Sequence, residues 1–261
     1  MGKYVVTGGT KGIGEKTVEI LRDQGHEVIS VARTGADINA DLGTYDGREM
    51  VVSLIHERWG DGIDGLVCNA GIALQPKYKN SYVVSVNYFG AIAIAEGLYD
   101  LLKMKSGNCA ITVSGSLAYP INRKYFIDEI LNNCGDEERI SRLVDTFDSG
   151  AVGMSLYVST KIALARWVRR VSASWAACGV TINALAPGPV NTMIMGQPMI
   201  PGNSGFFQPM PALHEQNRVM EPIEVAHTLA FLVLPGVKCV NGSVIFCDAG
   251  TAAVMHPERY F

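Results

Sequence analysis

Two residues in this chain have types and spacing suited to moving a proton: Tyr157 and Lys161, in the run Tyr157-Val158-Ser159-Thr160-Lys161. Ile162, Leu164, Ala165 and Val168 follow at helical spacing, which predicts that the pair lies in the first turns of an amphipathic helix. Positions i and i+4 share a helix face, so the phenol and the ammonium point the same way. A free tyrosine titrates at about pH 10. A neighbouring cation favours the phenolate, so the expectation is a phenol acidified toward neutrality that can give or take a proton. Such pairs also occur on ordinary solvated helix faces, so the surrounding elements must decide.

The elements that would position the pair read as strands alternating with helices. Lys3 to Thr7 is a short β-type run that flows into Gly8-Gly9-Thr10-Lys11-Gly12-Ile13-Gly14. A helix follows with Ile13, Thr17, Ile20 and Leu21 on one side, ending near Gly25. Strand, glycine-rich turn and helix together let backbone N–H groups and a helix N-terminus face a pyrophosphate, although plain βα connections use the same residues. Glu27 to Ala32 closes the first βαβ unit. At its end an acid would accept from a ribose hydroxyl, whereas an arginine accommodates a 2′-phosphate. Here Ala32 precedes Arg33, with Lys11 as a second cation, a pattern that favours NADP(H) over NAD(H) unless both are plain surface charges.

A short extended piece from Gly35 to Leu42 contains Asp37 and Asp41, and a helix is expected over about Gly47 to Trp59. The strand Gly65 to Cys68 ends in Asn69-Ala70-Gly71, a small polar cluster at the sheet edge where ligands of open parallel sheets sit. One long helix is expected over Ser81 to Met104, with Asn87 among apolar neighbours; a buried amide there must find partners. Ala110 to Val113 is a strand delivering Ser114-Gly115-Ser116 to the same edge, as site residues or as turn residues. Residues 119–150 form an acidic insertion with helical patterning, read as one or two helices flanking the site or making a subunit contact. A strand over Val180 to Leu185 runs into Pro187 and Gly188, and a last helix (Ile223 to Leu234) and strand (Ser243 to Cys247) follow. The connection over 189–221 is long and rich in Pro, Gly and Met. Its Met193, Met195, Met199, Phe206 and Phe207 suit an apolar ligand or flat packing on the parent domain.

At 261 residues, with 48% hydrophobic and 18% charged content, the chain is sized for one large α/β domain. A net charge of −3 gives no electrostatic reason to expect a nucleic acid or a membrane surface as partner. No apolar run reaches the length of a membrane span, and the N-terminus reads straight into a strand, so a cytoplasmic location is expected. Six cysteines occur without metal-like spacing, and no metal site is expected.

Taken in order, Thr7-Gly8-x-x-x-Gly12-Ile13-Gly14, Asn69-Ala70-Gly71, Asn87, Ser114, Tyr157-x-x-x-Lys161 and Pro187-Gly188 resemble the short-chain dehydrogenase/reductase family across nearly the whole chain. Val84-Ser85-Val86-Asn87-Tyr88-Phe89-Gly90, the insertion before Tyr157, the short link after the second strand and Ala253-Val254-Met255 are similar to its bacterial 3α-hydroxysteroid dehydrogenase/carbonyl reductase branch. The resemblance implies a single Rossmann-type domain over 1–261, a doubly wound parallel sheet of about seven strands. It carries a catalytic tetrad onto Asn87, Ser114, Tyr157 and Lys161, with Ser116 as a lesser alternative or substrate contact. It places the cofactor against Gly8, Thr10, Lys11, Gly12, Ile13, Gly14, Arg33, Asp41, Leu42, Asn69, Ala70, Gly71, Pro187, Gly188, Val190 and Thr192, together with Tyr157 and Lys161. The implied activity is interconversion of a secondary alcohol and a ketone on a hydroxysteroid or bile acid. Alternatives are a smaller cyclic or terpenoid substrate, or a non-catalytic NADP(H)-binding protein. A homo-oligomer is implied, a dimer or a tetramer. The family's acid at the end of the second strand is replaced by Ala32, which puts NAD(H) preference in doubt.

Overall fold

The computed structural model describes residues 1–73, 75, 77–118, 127–133, 135–194 and 219–259. Among them seven strands form one parallel sheet in the order β3-β2-β1-β4-β5-β6-β7. These are β1 (Lys3–Thr7), β2 (Glu27–Ala32), β3 (Ile38–Asn39), β4 (Gly65–Cys68), β5 (Asn108–Thr112), β6 (Thr181–Pro187) and β7 (Val244–Cys247). Alternate residues supply two cores, as the period of two in a strand requires. Val5, Leu66 and Ile111 face one side of the sheet, while Tyr4, Val6, Val67 and Ala110 face the other. Helices α1 (Gly12–Asp23) and α9 (Pro222–Val233) cover the second side. The first is covered by α2 (Tyr45–Arg58), α4 (Gly90–Gly97), α5 (Tyr99–Lys105) and α8 (Ser149–Ala176). A sheet buried on both faces explains why β4 reads as an unbroken apolar run.

The order of the sheet reverses at β1, with β2 on one side and β4 on the other. Crevices at such switch points are where doubly wound sheets bind ligands. The glycine turn after β1 and the Asn69-Ala70-Gly71 cluster after β4 therefore meet at one sheet edge. The buried Thr7 hydroxyl ties them together, accepting from the backbone N–H groups of Asn69 and Ala70, each at 3.1 Å.

Two segments depart from the sequence expectations. The single helix expected over 81–104 is broken into α3 (Asn80–Val84), a π turn (Ser85–Phe89) and α4, and it bends by 46° before α5. Tyr157 does not lie in the first turns of its helix, because α8 starts at Ser149 and runs for 28 residues. The insertion contains α6 (Ile127–Asn133) and α7 (Glu137–Val144), both packed on the chain's own helices. The Asp128 carboxylate, fully buried, accepts from Arg166 of α8 at 2.7 Å, and Asp145 accepts from the Ser81 backbone N–H at 2.8 Å at the start of α3. The last helix among the described residues is α10 (Thr251–Met255). No single helix among the described residues is long and apolar enough to cross a membrane.

Candidate active site

Gly8, Thr10, Lys11, Gly12, Ile13 and Gly14 form the turn from β1 into α1. A Cβ on Gly14 would stand 2.2 Å from the Gly8 carbonyl oxygen and 2.6 Å from Asn69 Nδ2, so the helix start is pressed onto the strand ends as only glycine allows. Lys11 sits at the N-cap of α1 and its side chain makes no capping hydrogen bond. The first N–H groups of the helix thus keep their capacity to bind an anion, which suits a pyrophosphate. Thr192 lies over this turn, its Cγ2 3.1 Å from where a Cβ on Gly12 would be. Pro187 ends β6, Gly188 donates its N–H to the Cys247 carbonyl at 3.0 Å, and Val190 is buried against Met220.

The π turn explains how Asn87 is held. Widening the helix by one residue turns its fully buried side chain onto the Ile72 backbone just past Gly71. Its Oδ1 accepts from the Ile72 N–H at 2.8 Å and its Nδ2 donates to the Ile72 carbonyl at 2.9 Å. Across from it, Lys161 is 3% exposed and donates to the Thr112 carbonyl at 3.3 Å. Gly71 separates the two: a Cβ there would stand 3.3 Å from Asn87 Oδ1 and 3.2 Å from Lys161 Nζ. The neighbouring Thr112 hydroxyl is buried without a hydrogen-bond partner among the described residues. A buried hydroxyl with spare hydrogen-bonding capacity at a strand end is unusual in a closed core.

Ser114 stands just beyond β5, and its hydroxyl is hydrogen-bonded to the Tyr157 phenol. Lys161 Nζ lies 5.9 Å from the Tyr157 ring centroid. The structure therefore gathers Asn87, Ser114, Tyr157 and Lys161 at one edge of the sheet. It corrects the expectation about acidity, however. Burial pushes the Tyr157 phenol above its ordinary value, against a smaller lowering from the Ser114 hydrogen bond. Burial also brings the Lys161 ammonium down to about 8. Burial, not the neighbouring ammonium, sets the direction of the phenol's shift.

The residues following β2, away from Tyr157, are more exposed. Arg33 follows β2 on the surface, its Nη atoms 3.5 and 3.4 Å from the Tyr78 hydroxyl. Asp37, the nearest acid in sequence, points back at the strand: its Oδ2 accepts from the Ser30 N–H, the Ser30 hydroxyl and Arg22 at 2.7, 2.6 and 2.8 Å. Asp41 accepts from the Gly43 N–H and from the Tyr82 hydroxyl, and the buried Leu42 follows it. Tyr78 and Tyr82, with ring centroids 5.3 Å apart, had no signal in the sequence beyond their aromatic type. Of the residues expected at the substrate, Met193 is largely exposed and Ser116 lies in the 3-10 turn Gly115–Ala118, its side chain outside the described set. Met195, Met199, Phe206 and Phe207 lie outside the described residues.

Comparison with known proteins adds the following. The family described as short chain dehydrogenase matches residues 3–124, and that described as Enoyl-(Acyl carrier protein) reductase matches residues 145–252. The chain is 32% identical to the 3-alpha-hydroxysteroid dehydrogenase/carbonyl reductase of Comamonas testosteroni, covering 100% of both. It is 28% identical to the coniferyl-alcohol dehydrogenase of a Pseudomonas strain, covering 96% of each. Among solved structures, the 3-alpha-hydroxysteroid dehydrogenase of another Pseudomonas strain, complexed with NADH, superposes with a TM-score of 0.87 at 32% identity, covering 99% of this chain and 100% of that one.

Proposed function

This chain belongs to the short-chain dehydrogenase family of oxidoreductases acting on CH–OH groups, and we propose that it interconverts a secondary alcohol and a ketone on a hydroxysteroid or bile acid with NADP(H). The observation that carries this reading is the hydrogen-bonded pair of hydroxyls, Ser114 and Tyr157, at a sheet edge shared with Lys161, Asn87 and the glycine turn. The nicotinamide, when bound, supplies or accepts the hydride. The substrate oxygen takes the place of one partner in the Ser114–Tyr157 bond, so that both hydroxyls donate to it. Negative charge building on that oxygen during reduction strengthens both bonds, which is where a fixed donor pair lowers a barrier. Tyr157 then gives up its proton. A phenol held protonated by burial suits this direction, and the reverse direction gains as pH rises. Lys161 would hold the ribose hydroxyls and pass a proton back toward Tyr157, while Asn87, fixed by Ile72, borders the space beside Gly71 where a water would feed that relay.

For the cofactor, Arg33 is the cation at the end of β2, and no acid replaces it, since Asp37 is committed to Ser30 and Arg22. The NADH in the related structure supports NAD(H) as the alternative. We assign 189–221 to the substrate on its apolar composition, and the coniferyl-alcohol relative supports a second reading in which the substrate is a smaller cyclic alcohol or ketone. We also expect a cytoplasmic homodimer. The deciding experiment is a ketone panel followed at the nicotinamide absorbance with NADPH and NADH in parallel. Faster reduction of steroid ketones with NADPH supports the proposal. Turnover confined to small ketones overturns the substrate class, and faster turnover with NADH overturns the cofactor choice.

A further inference from the structure

Arg48 is a buried cation that none of the steps above uses. It lies early in α2, 4% exposed, and its guanidinium binds three separate pieces of chain. Nε donates to the Leu42 carbonyl at 2.7 Å, and Nη2 to the Ser85 carbonyl at 3.3 Å. Nη1 and Nη2 together fork onto the Glu137 carboxylate at 2.6 and 2.7 Å. Leu42 belongs to the turn at the end of the site we assign to adenine. Ser85 opens the π turn that carries Asn87, and Glu137 is the first residue of α7 in the insertion. The Ser85 carbonyl already accepts the Gly90 N–H that closes the π turn, so Arg48 is a second donor at the point where the helix widens.

We propose that Arg48 is a positioning residue that locks the adenine-end turn to the turn aiming Asn87, with the insertion supplying Glu137 as its counter-charge. The claim about turnover rests on the relay reading of Asn87 given above. A planar fork can bridge three partners in fixed directions where a single ammonium cannot. The carboxylate is needed because a buried guanidinium left unpaired would be strongly unfavourable. The insertion thereby contributes to cofactor affinity and catalysis from a helix that touches neither reactant.

The test replaces both charges at once with Arg48→Met/Glu137→Met, because an apolar pair of similar size avoids orphaning a buried ion. Three quantities are read: melting temperature, cofactor dissociation constant by fluorescence titration, and kcat. The expected result is a near-parental melting temperature, a cofactor dissociation constant raised about fivefold and a kcat lowered about tenfold, the scale of a small misplacement of catalytic groups. The kcat loss should vanish when the pair is introduced into Asn87→Ala, since a residue acting through Asn87 has nothing left to misplace. Recovery of melting temperature, affinity and kcat together would show a merely structural ion pair and overturn the proposal, as would an undiminished kcat loss in the Asn87→Ala background. Normal turnover of Asn87→Ala alone would sink the relay reading itself, and with it the effect of Arg48 on turnover. Should the double variant fail to fold, Arg48→Lys keeps the pair with Glu137 and drops the bridge to Leu42 and Ser85; unchanged kcat and affinity in that protein would likewise overturn the assignment.

Discussion

The two ends of the candidate site are built on opposite principles. At the catalytic end, Tyr157 and Lys161 stand on a 28-residue helix, Ser114 at the end of a central strand, and Asn87 on a turn fixed to Ile72 by two hydrogen bonds. Asn87 and Lys161 there are buried and Ser114 and Tyr157 half-buried; burial raises the phenol and brings the ammonium down to about 8. At the end we assign to adenine, Arg33 and Tyr78 meet on the surface through contacts of 3.4 to 3.5 Å, where solvent and salt screen charge. Rigid, dry placement favours chemistry, while an exposed cation favours discrimination between cofactors that differ by one phosphate. A change at the first end should therefore cost far more than a change at the second.

The widest test of that contrast is Tyr157→Phe, which removes the proton donor and keeps the ring. We expect a folded protein that still binds cofactor, with turnover lowered by at least about a hundredfold, the lower scale of general acid catalysis. Near-normal turnover would remove the premise that this end performs the chemistry. The pH profile sharpens the point. With the phenol above its ordinary value, reductive kcat/KM should lose nothing to tyrosine ionisation between pH 6 and about 8. A tenfold decline over that range would mean that bound cofactor acidifies the phenol against its burial.

Stability gives the next contrast. The folded Lys161 titrates at about 8, below its ordinary 10.5. Between those values the unfolded chain binds the extra proton, so the contribution of this group to stability rises with pH and is fully relieved only above the unfolded value. The slope is at most about 1.4 kcal/mol per pH unit. Denaturant titrations of the cofactor-free protein and of Lys161→Met at pH 7.5 and about 9.5 should show the gain in the parent and not in the variant. Arg33→Ala, which keeps Lys161, should show the same gain as the parent, and a parent curve identical to that of Lys161→Met would mean that the ammonium is better solvated than its burial indicates.

Much of this architecture was legible in the residues. Strands β1, β2 and β4 are where the short β-type runs and the glycine turn put them, and Tyr157 on α8 does meet Ser114 just beyond β5. What could not be read was depth. Spacing gives the direction of a phenol and an ammonium, but not how much water each loses, and here burial reversed the expected shift of the phenol. The π turn was equally hidden. Val83, Val84, Val86 and Phe89 are apolar all round, so one extra residue in the helix leaves no break in their pattern. The Arg48–Glu137 pair spans 89 residues, and neither member differs in type from an ordinary surface charge.

The smallest expected effect lies at the exposed end. Arg33→Ala removes one cation from the end of β2 and leaves Asp37 committed to Ser30 and Arg22, so the ribose gains no new acceptor. A single charge-assisted contact near the surface contributes about 1.4 kcal/mol, which predicts about a tenfold rise in the NADPH dissociation constant and little change for NADH. Screening makes this loss depend on salt: the gap between parent and variant should narrow as ionic strength rises from about 0.05 to 0.5 M. Tyr78, which holds the guanidinium in the described structure, gives the opposite control, since Tyr78→Phe frees Arg33 without removing its charge and should leave NADPH affinity within about twofold. If Arg33→Ala weakened both cofactors equally, the arginine would be supporting the turn rather than reading a phosphate, and the contrast between the two ends would lose its chemical basis.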